Sequence, residues 1–128
     1  MKFKSFFPIL FLSLVLLAGL NAQPHDQGKV LRHVVMFKFS EKATPANIRK
    51  IEASFAALPQ KIKEIKGFEW GTNSSPEKLN QGLTHCFILS FSSDKDRDAY
   101  LIHPAHKEFG KSLGSDLEKV TVLDFWAK

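Results

Sequence analysis

The segment from Val30 to Phe39 constrains the fold of this chain more than any other. It is rich in β-branched and aromatic residues, the composition of a strand. Alternate positions of a strand share a face, so Leu31, His33, Val35, Phe37 and Phe39 point one way. Val30, Arg32, Val34, Met36 and Lys38 point the other. Both faces are substantially apolar, which a sheet wetted on one side does not need. Each face therefore has to be covered.

The rest of the chain supplies one cover. Thr44 is a good N-cap and Pro45 suits the first helical position, where a missing N–H costs nothing. Ile48, Ile51, Phe55, Leu58 and Ile62 then follow as one apolar helical stripe. Pro59 should end the regular helix near Leu58, leaving residues 60–66 as an irregular turn. Beyond Gly67, residues 68–72 alternate as a second strand, residues 73–82 read as a polar loop, and residues 83–91 form a third strand. On that third strand His85, Phe87, Leu89 and Phe91 share a face, and Thr84, Cys86, Ile88 and Ser90 the opposite one. Ser92, Ser93 and Asp94 cap a second helix, which Pro104 should interrupt. A short helix restarts there with His106, Phe109 and Leu113, and residues 120–126 make a fourth strand.

The order β-α-β-β-α-β is the ferredoxin-like arrangement, an α+β fold with a four-stranded antiparallel sheet and its helices on one face. The other face carries Val30, Val34, Met36 and Ile88, too much apolar surface to leave wet. Pairing of two sheets would bury it, so the sequence predicts a homodimer joined through the sheet face.

Residues 1–22 stand apart from this domain. Lys2 and Lys4 make a basic start, residues 6–17 an apolar run, and Ala18 to Ala22 a segment of mostly small residues. That is the layout of a signal peptide, with cleavage expected between Ala22 and Gln23. The run, about a dozen residues, falls short of the ~20 of a spanning helix. The expectation is an exported protein, periplasmic or secreted, with no stable membrane anchor. Residues 23–29 read as a polar tether and residues 30–128 as one domain.

Two of the 18 basic residues fall in the leader, so 16 face 13 acidic ones and the formal charge drops from +5 to +3. The lysines are scattered, without the basic stripe interleaved with aromatics that nucleic acid would require. Cys86 has no partner for an internal disulfide and lies in an apolar strand, which suits an inert thiol.

The chemistry-bearing residues are histidines and one tyrosine. His33 and His85 fall on the strand faces turned to the helices, and Tyr100 and His106 flank the broken helix. Histidine exchanges protons near pH ~6.5 and a phenol can hold a carbonyl. Together with Val35, Phe37, Ile51, Phe55, Phe87, Leu89 and Phe109 they are expected to line an apolar pocket holding a few polar groups. Each histidine also has a plainer reading as a hydrogen-bonded core residue. His103 and His106 lack the convergent third ligand a metal wants, so no metal is expected. Asp124 reads as structural. No nucleophile elbow, phosphate loop or dinucleotide fingerprint is present in the sequence.

Several runs resemble the stress-responsive dimeric α/β-barrel (Dabb) family: residues 31–39, Gly67-Phe68-Glu69-Trp70-Gly71, Gln81-Gly82-Leu83-Thr84-His85, residues 99–106, and Val122-Leu123-Asp124-Phe125. The resemblance implies a ferredoxin-like protomer that pairs into a barrel. It also implies acid–base chemistry without cofactor or metal, as in a plant polyketide cyclase of the family. There a histidine is the base and a tyrosine assists it; the matching residues here are His106 and Tyr100. Two pocket histidines of that enzyme match His33 and His85. The helix positions lining its pocket are here Ile51 and Phe55, the latter replacing a tyrosine. The expected function is thus a pocket for a small apolar carbonyl or phenolic ligand with cyclase- or lyase-like chemistry. The alternatives are a non-catalytic periplasmic binding or stress-response protein, and an activity like the haem-degrading or quinone-forming monooxygenases among related barrels.

Overall fold

Strand β1 (Leu31–Phe39) is the axis of the molecule because it is paired along both edges. On one side it meets β3 (His85–Phe91), with His33 opposite Leu89 and Phe37 opposite His85. On the other it meets β4 (Leu117–Trp126), with His33 opposite Asp124 and Leu31 opposite Trp126. Strand β2 (Gly67–Thr72) completes a fully antiparallel sheet of order β2-β3-β1-β4. The computed structural model describes residues 28–128; the expected leader, and the part of the tether before Gly28, lie outside the described residues.

Helix α1 (Pro45–Ala56) starts as its sequence dictates: the Thr44 hydroxyl accepts from the Asn47 N–H at 3.1 Å, with Pro45 in the first turn. It stops at Ala56 because Pro59 has no N–H to give the Phe55 carbonyl. Instead of an irregular turn, a further helical turn, α2 (Leu58–Lys61), follows the break with Pro59 in its opening positions. Helices α3 (Asp94–Ile102) and α4 (Pro104–Leu113) are divided at His103, and residues 114–116 form a 3-10 turn leading into β4.

Two strand starts differ from expectation by more than one residue. β4 begins at Leu117 rather than residue 120, since its charged start pairs with the end of β1, where Lys38 Nζ lies 2.6 Å from Glu118 Oε1. β3 begins at His85, since Leu83 is tied back to the Asn80 carbonyl in a turn entered through Gly82 at φ +77°.

The two faces of β1 have different fates. Leu31, His33, Val35 and Phe37 are buried beneath the helices, whereas Arg32, Val34, Met36 and Lys38 are only half-buried. The buried layer is an aromatic cluster centred on Phe55, whose ring centroid lies 4.4 Å from that of Phe87 and 4.6 Å from that of Phe109. Phe37 closes it at 5.2 Å from Phe87. Burying rings of this size contributes about 1.5–3 kcal/mol each before chain entropy is charged against it. β4, at the sheet edge, is left exposed on both faces: Val120 and Val122 on the helix side, Leu123 and Phe125 on the other.

Candidate active site

The site begins with a helix that cannot continue. Pro104 has no N–H, so the run of α3 carbonyls loses a donor at the α3–α4 junction. The next donor is diverted as well, since His103 caps α4 and its Nδ1 accepts from the Ala105 N–H at 3.1 Å. In an unbroken helix that N–H would serve the Leu101 carbonyl. His106 takes its place, with Nδ1 lying 3.1 Å from the Leu101 oxygen. A carbonyl only accepts, so Nδ1 carries the proton and Nε2 presents a bare lone pair. Burial pushes the His106 pKa below its ordinary value; the Leu101 carbonyl opposes this and the nearby His33 and His103 reinforce it. The ring is a neutral base at pH 7.

Tyr100 lies between two imidazoles. Its ring centroid is 4.4 Å from that of His106 and 5.5 Å from that of His33, the latter edge-on. Burial, and then the charge of Asp124, push the Tyr100 hydroxyl far above its ordinary pKa, so it stays a phenol and a donor. Only 1% of its surface is exposed.

His33 is held from the next strand. Its Nδ1–H donates to Asp124 Oδ1 at 2.6 Å, and the other oxygen of that carboxylate takes Arg97 Nη1 from α3 at 2.5 Å. The Arg97 guanidinium also binds Asp98 at 2.8 Å and Asp94 at 3.3 Å. By accepting from Nδ1–H, Asp124 orients the His33 ring and turns its Nε2 away from the carboxylate. Two imidazoles thus flank one phenol.

His85 is not part of this group. It stands four residues from Leu89, the partner of His33, which places the two histidines about 13 Å apart along the sheet. There its Nε2–H donates to Glu52 Oε1 at 2.9 Å, its Nδ1 accepts from the Thr84 hydroxyl at 2.8 Å, and Trp70 stacks parallel to it. Between the two ends lie Val35, Phe37, Ile51, Phe55, Phe87, Leu89 and Phe109, expected as pocket lining and found packed on one another in the core. Of the expected polar groups the structure therefore gathers His33, Tyr100 and His106, and places His85 apart. Asp124, Arg97 and Glu52 are the residues that sequence reasoning passed over as partners. Asp124 follows from the β1–β4 register, and Glu52 lies at the margin of the apolar stripe of α1.

Two open cavities stand out on the described residues, and neither of these is lined by Tyr100 or His106. One, of about 650 Å³, lies over the uncovered sheet face, with Met36, Glu69, Cys86, Ile88 and Thr121 in its floor. Cys86 there is half-buried, and burial followed by the charge of Glu69 raises its pKa, which keeps it a thiol. Among the described residues no three histidine, cysteine or acidic side chains converge as a metal centre, and no helix is long and apolar enough to cross a membrane.

Comparison with known proteins fixes the family. The model of the stress responsive A/B barrel domain matches residues 31–127, and the chain belongs to that family. It is 36% identical over 95 residues to the stress-response A/B barrel domain-containing protein HS1 of Arabidopsis thaliana, covering 74% of this chain and 87% of that one. It is 28% identical over 95 residues to olivetolic acid cyclase of Cannabis sativa, covering 74% and 94%. The hydroxynitrile lyase of Passiflora edulis superposes with a TM-score of 0.74 at 27% identity, over 79% of this chain and 95% of that one. A Bacteroides fragilis protein of ferredoxin-like fold, described as dimeric, superposes at 0.63 with 26% identity, over 77% and 96%.

If Asp124 sets the His33 tautomer, Asp124→Asn should release it. Nitrogen-15 NMR of the ring should change from one Nδ1–H form to a mixture of tautomers, with stability reduced by about 1–3 kcal/mol. An unchanged ring spectrum would show that the carboxylate does not hold it.

Proposed function

We propose that this member of the stress responsive A/B barrel family is a cofactor-independent acid–base catalyst acting on a small, largely apolar carbonyl or phenolic compound. The observation that carries the reading is the state of His106, a neutral imidazole with Nδ1 engaged by Leu101 and packed against a buried phenol. A substrate with its carbonyl oxygen on the Tyr100 hydroxyl would put the adjacent C–H near His106 Nε2. His106 takes that proton while Tyr100 donates a hydrogen bond to the oxygen on which negative charge develops. His33, its ring oriented by Asp124, orients the substrate from the opposite side of the phenol. For a cyclase, the carbanion then attacks a second carbonyl of the same molecule, and the new alkoxide takes back the proton from His106. For a lyase, His106 takes instead the hydroxyl proton of a cyanohydrin. The C=O bond forms and the C–C bond to the nitrile carbon breaks, cyanide leaving with the electron pair. A cyclase and a lyase among the relatives support both outcomes. In this reading His85 acts at a distance, holding α1 to the sheet through Glu52.

One observation favours a second reading, binding without turnover. The aromatic layer between sheet and helices is filled, with Phe37, Phe55 and Phe87 no more than 1% exposed. A stress protein whose interior is simply packed would look the same, and its His103-Pro104-Ala105-His106 run would serve the helix break alone.

The working form is a homodimer, exported once its leader is removed. Val34, Met36, Ile88, Leu123 and Phe125 share the uncovered sheet face, and burying such a face is what a second copy offers. The relative described as dimeric has the same fold.

Two measurements follow. On a substrate identified by screening small aryl ketones and cyanohydrins, His106→Ala and Tyr100→Phe should each lower turnover by about 10²–10⁴-fold. The acid limb of the wild-type rate should lie below pH 6.5, the ordinary histidine value, because the folded protein lowers the His106 pKa. Turnover untouched by both substitutions would leave only the binding reading. For assembly, Phe125→Glu should convert a dimer to monomer in light scattering at micromolar concentration. A wild-type monomer under those conditions would end the dimer proposal.

A further inference from the structure

A second feature stands apart from the histidine cluster. At the end of the sheet where β1 and β2 begin and β3 and β4 finish, an open cavity of about 1210 Å³ is bordered by Lys29, Arg32, Lys66 and Lys128. No acidic side chain among the described residues lines it. None of these four cations enters an ion pair among the described residues, although Lys38 and Arg97 elsewhere on the chain do. Like charges gathered around one concavity repel, and a bound anion relieves that repulsion.

The cavity also has a directed polar centre. The Arg32 guanidinium donates to the Ser90 hydroxyl, whose residue is only 7% exposed. A hydroxyl that accepts one hydrogen bond can still donate its own proton, and guanidinium keeps further N–H groups in a planar fork suited to an oxyanion. Gly67 makes room for this pair, since a Cβ at that position would stand 3.1 Å from Ser90 Oγ. Lys66 spends one donor on the Lys63 carbonyl at 3.2 Å and retains two. Trp126, 36% exposed, adds an apolar wall.

We infer that this end cavity binds a small organic oxyanion, a phosphate or carboxylate carried on a flat apolar body. Arg32 and Ser90 hold the oxygens, Lys29, Lys66 and Lys128 supply counter-charge, and Trp126 receives the body. Arg32 and Ser90 lie at the strand-end margin of the uncovered sheet face, with Arg32 opposite Phe125 in the register. The cavity shares no residue with His33, Tyr100 and His106, so it stands or falls independently of the proposed catalysis.

Calorimetric titration of the purified protein with inorganic phosphate, phenyl phosphate and benzoate tests the inference at physiological salt. Phenyl phosphate should bind about tenfold or more tightly than inorganic phosphate, a difference of ~1.4 kcal/mol or more. Arg32→Gln should weaken it by about tenfold or more, as should the double change Lys66→Gln with Lys128→Gln, which leaves the Arg32–Ser90 pair intact and guards against misfolding of the first variant. Arg49→Gln, on exposed α1 surface, should leave it unchanged. Three results would overturn the inference. These are no binding of either aryl anion at millimolar concentration, equal losses in the Arg49→Gln control, and capture by phosphatidylglycerol vesicles in preference to phenyl phosphate, which would make the patch a lipid-facing surface.

Discussion

The helix break at Pro104 is the constraint on which the candidate chemistry depends. A proline at the head of α4 deprives the end of α3 of its regular donors, and the carbonyls left over must find other partners. His103 and His106 answer the two halves of that problem, one capping α4 and the other completing α3. The second solution has a chemical side effect. A histidine that donates through Nδ1 has only Nε2 left to act, and burial beside Tyr100 keeps it neutral. A backbone requirement thereby produces a base with a fixed tautomer.

The same economy governs β1. Its helix-facing side must be covered by apolar rings, and His33 is tolerated in that row because β4 places Asp124 opposite it. Arg97 then ties the carboxylate to α3, so strand, strand and helix are cross-linked through one side chain. Removing one member of such a chain leaves the others partly desolvated and unpaired, which is where the cost of a substitution would lie. The opposite side of β1 has no cover among the described residues, and this is the physical pressure behind the proposed dimer.

How much of this is legible in the sequence differs from residue to residue. The face assignments of β1 and β3 are readable because a period of two leaves no ambiguity, and the breaks at Pro59 and Pro104 because proline has one effect on a helix. The separation of His33 from His85 is not readable: alternation tells which face a residue occupies, and only strand register tells which end. Asp124 becomes the partner of His33 only once β4 lies beside β1, 91 residues away in sequence. The phenylalanines expected to line a pocket follow the pattern of a core equally well, and packing decides between them. The extra turn of α2 and the early start of β4 rest on contacts with distant residues.

The central claim is that His106 stands ready as a base through Nε2, and nitrogen-15 NMR of its ring across the pH range tests it most directly. The account predicts a neutral ring protonated at Nδ1 as the main form at pH 7, with a protonation midpoint below pH 6.5, the ordinary histidine value. A ring carrying its neutral proton on Nε2, or already charged at pH 7, would contradict it.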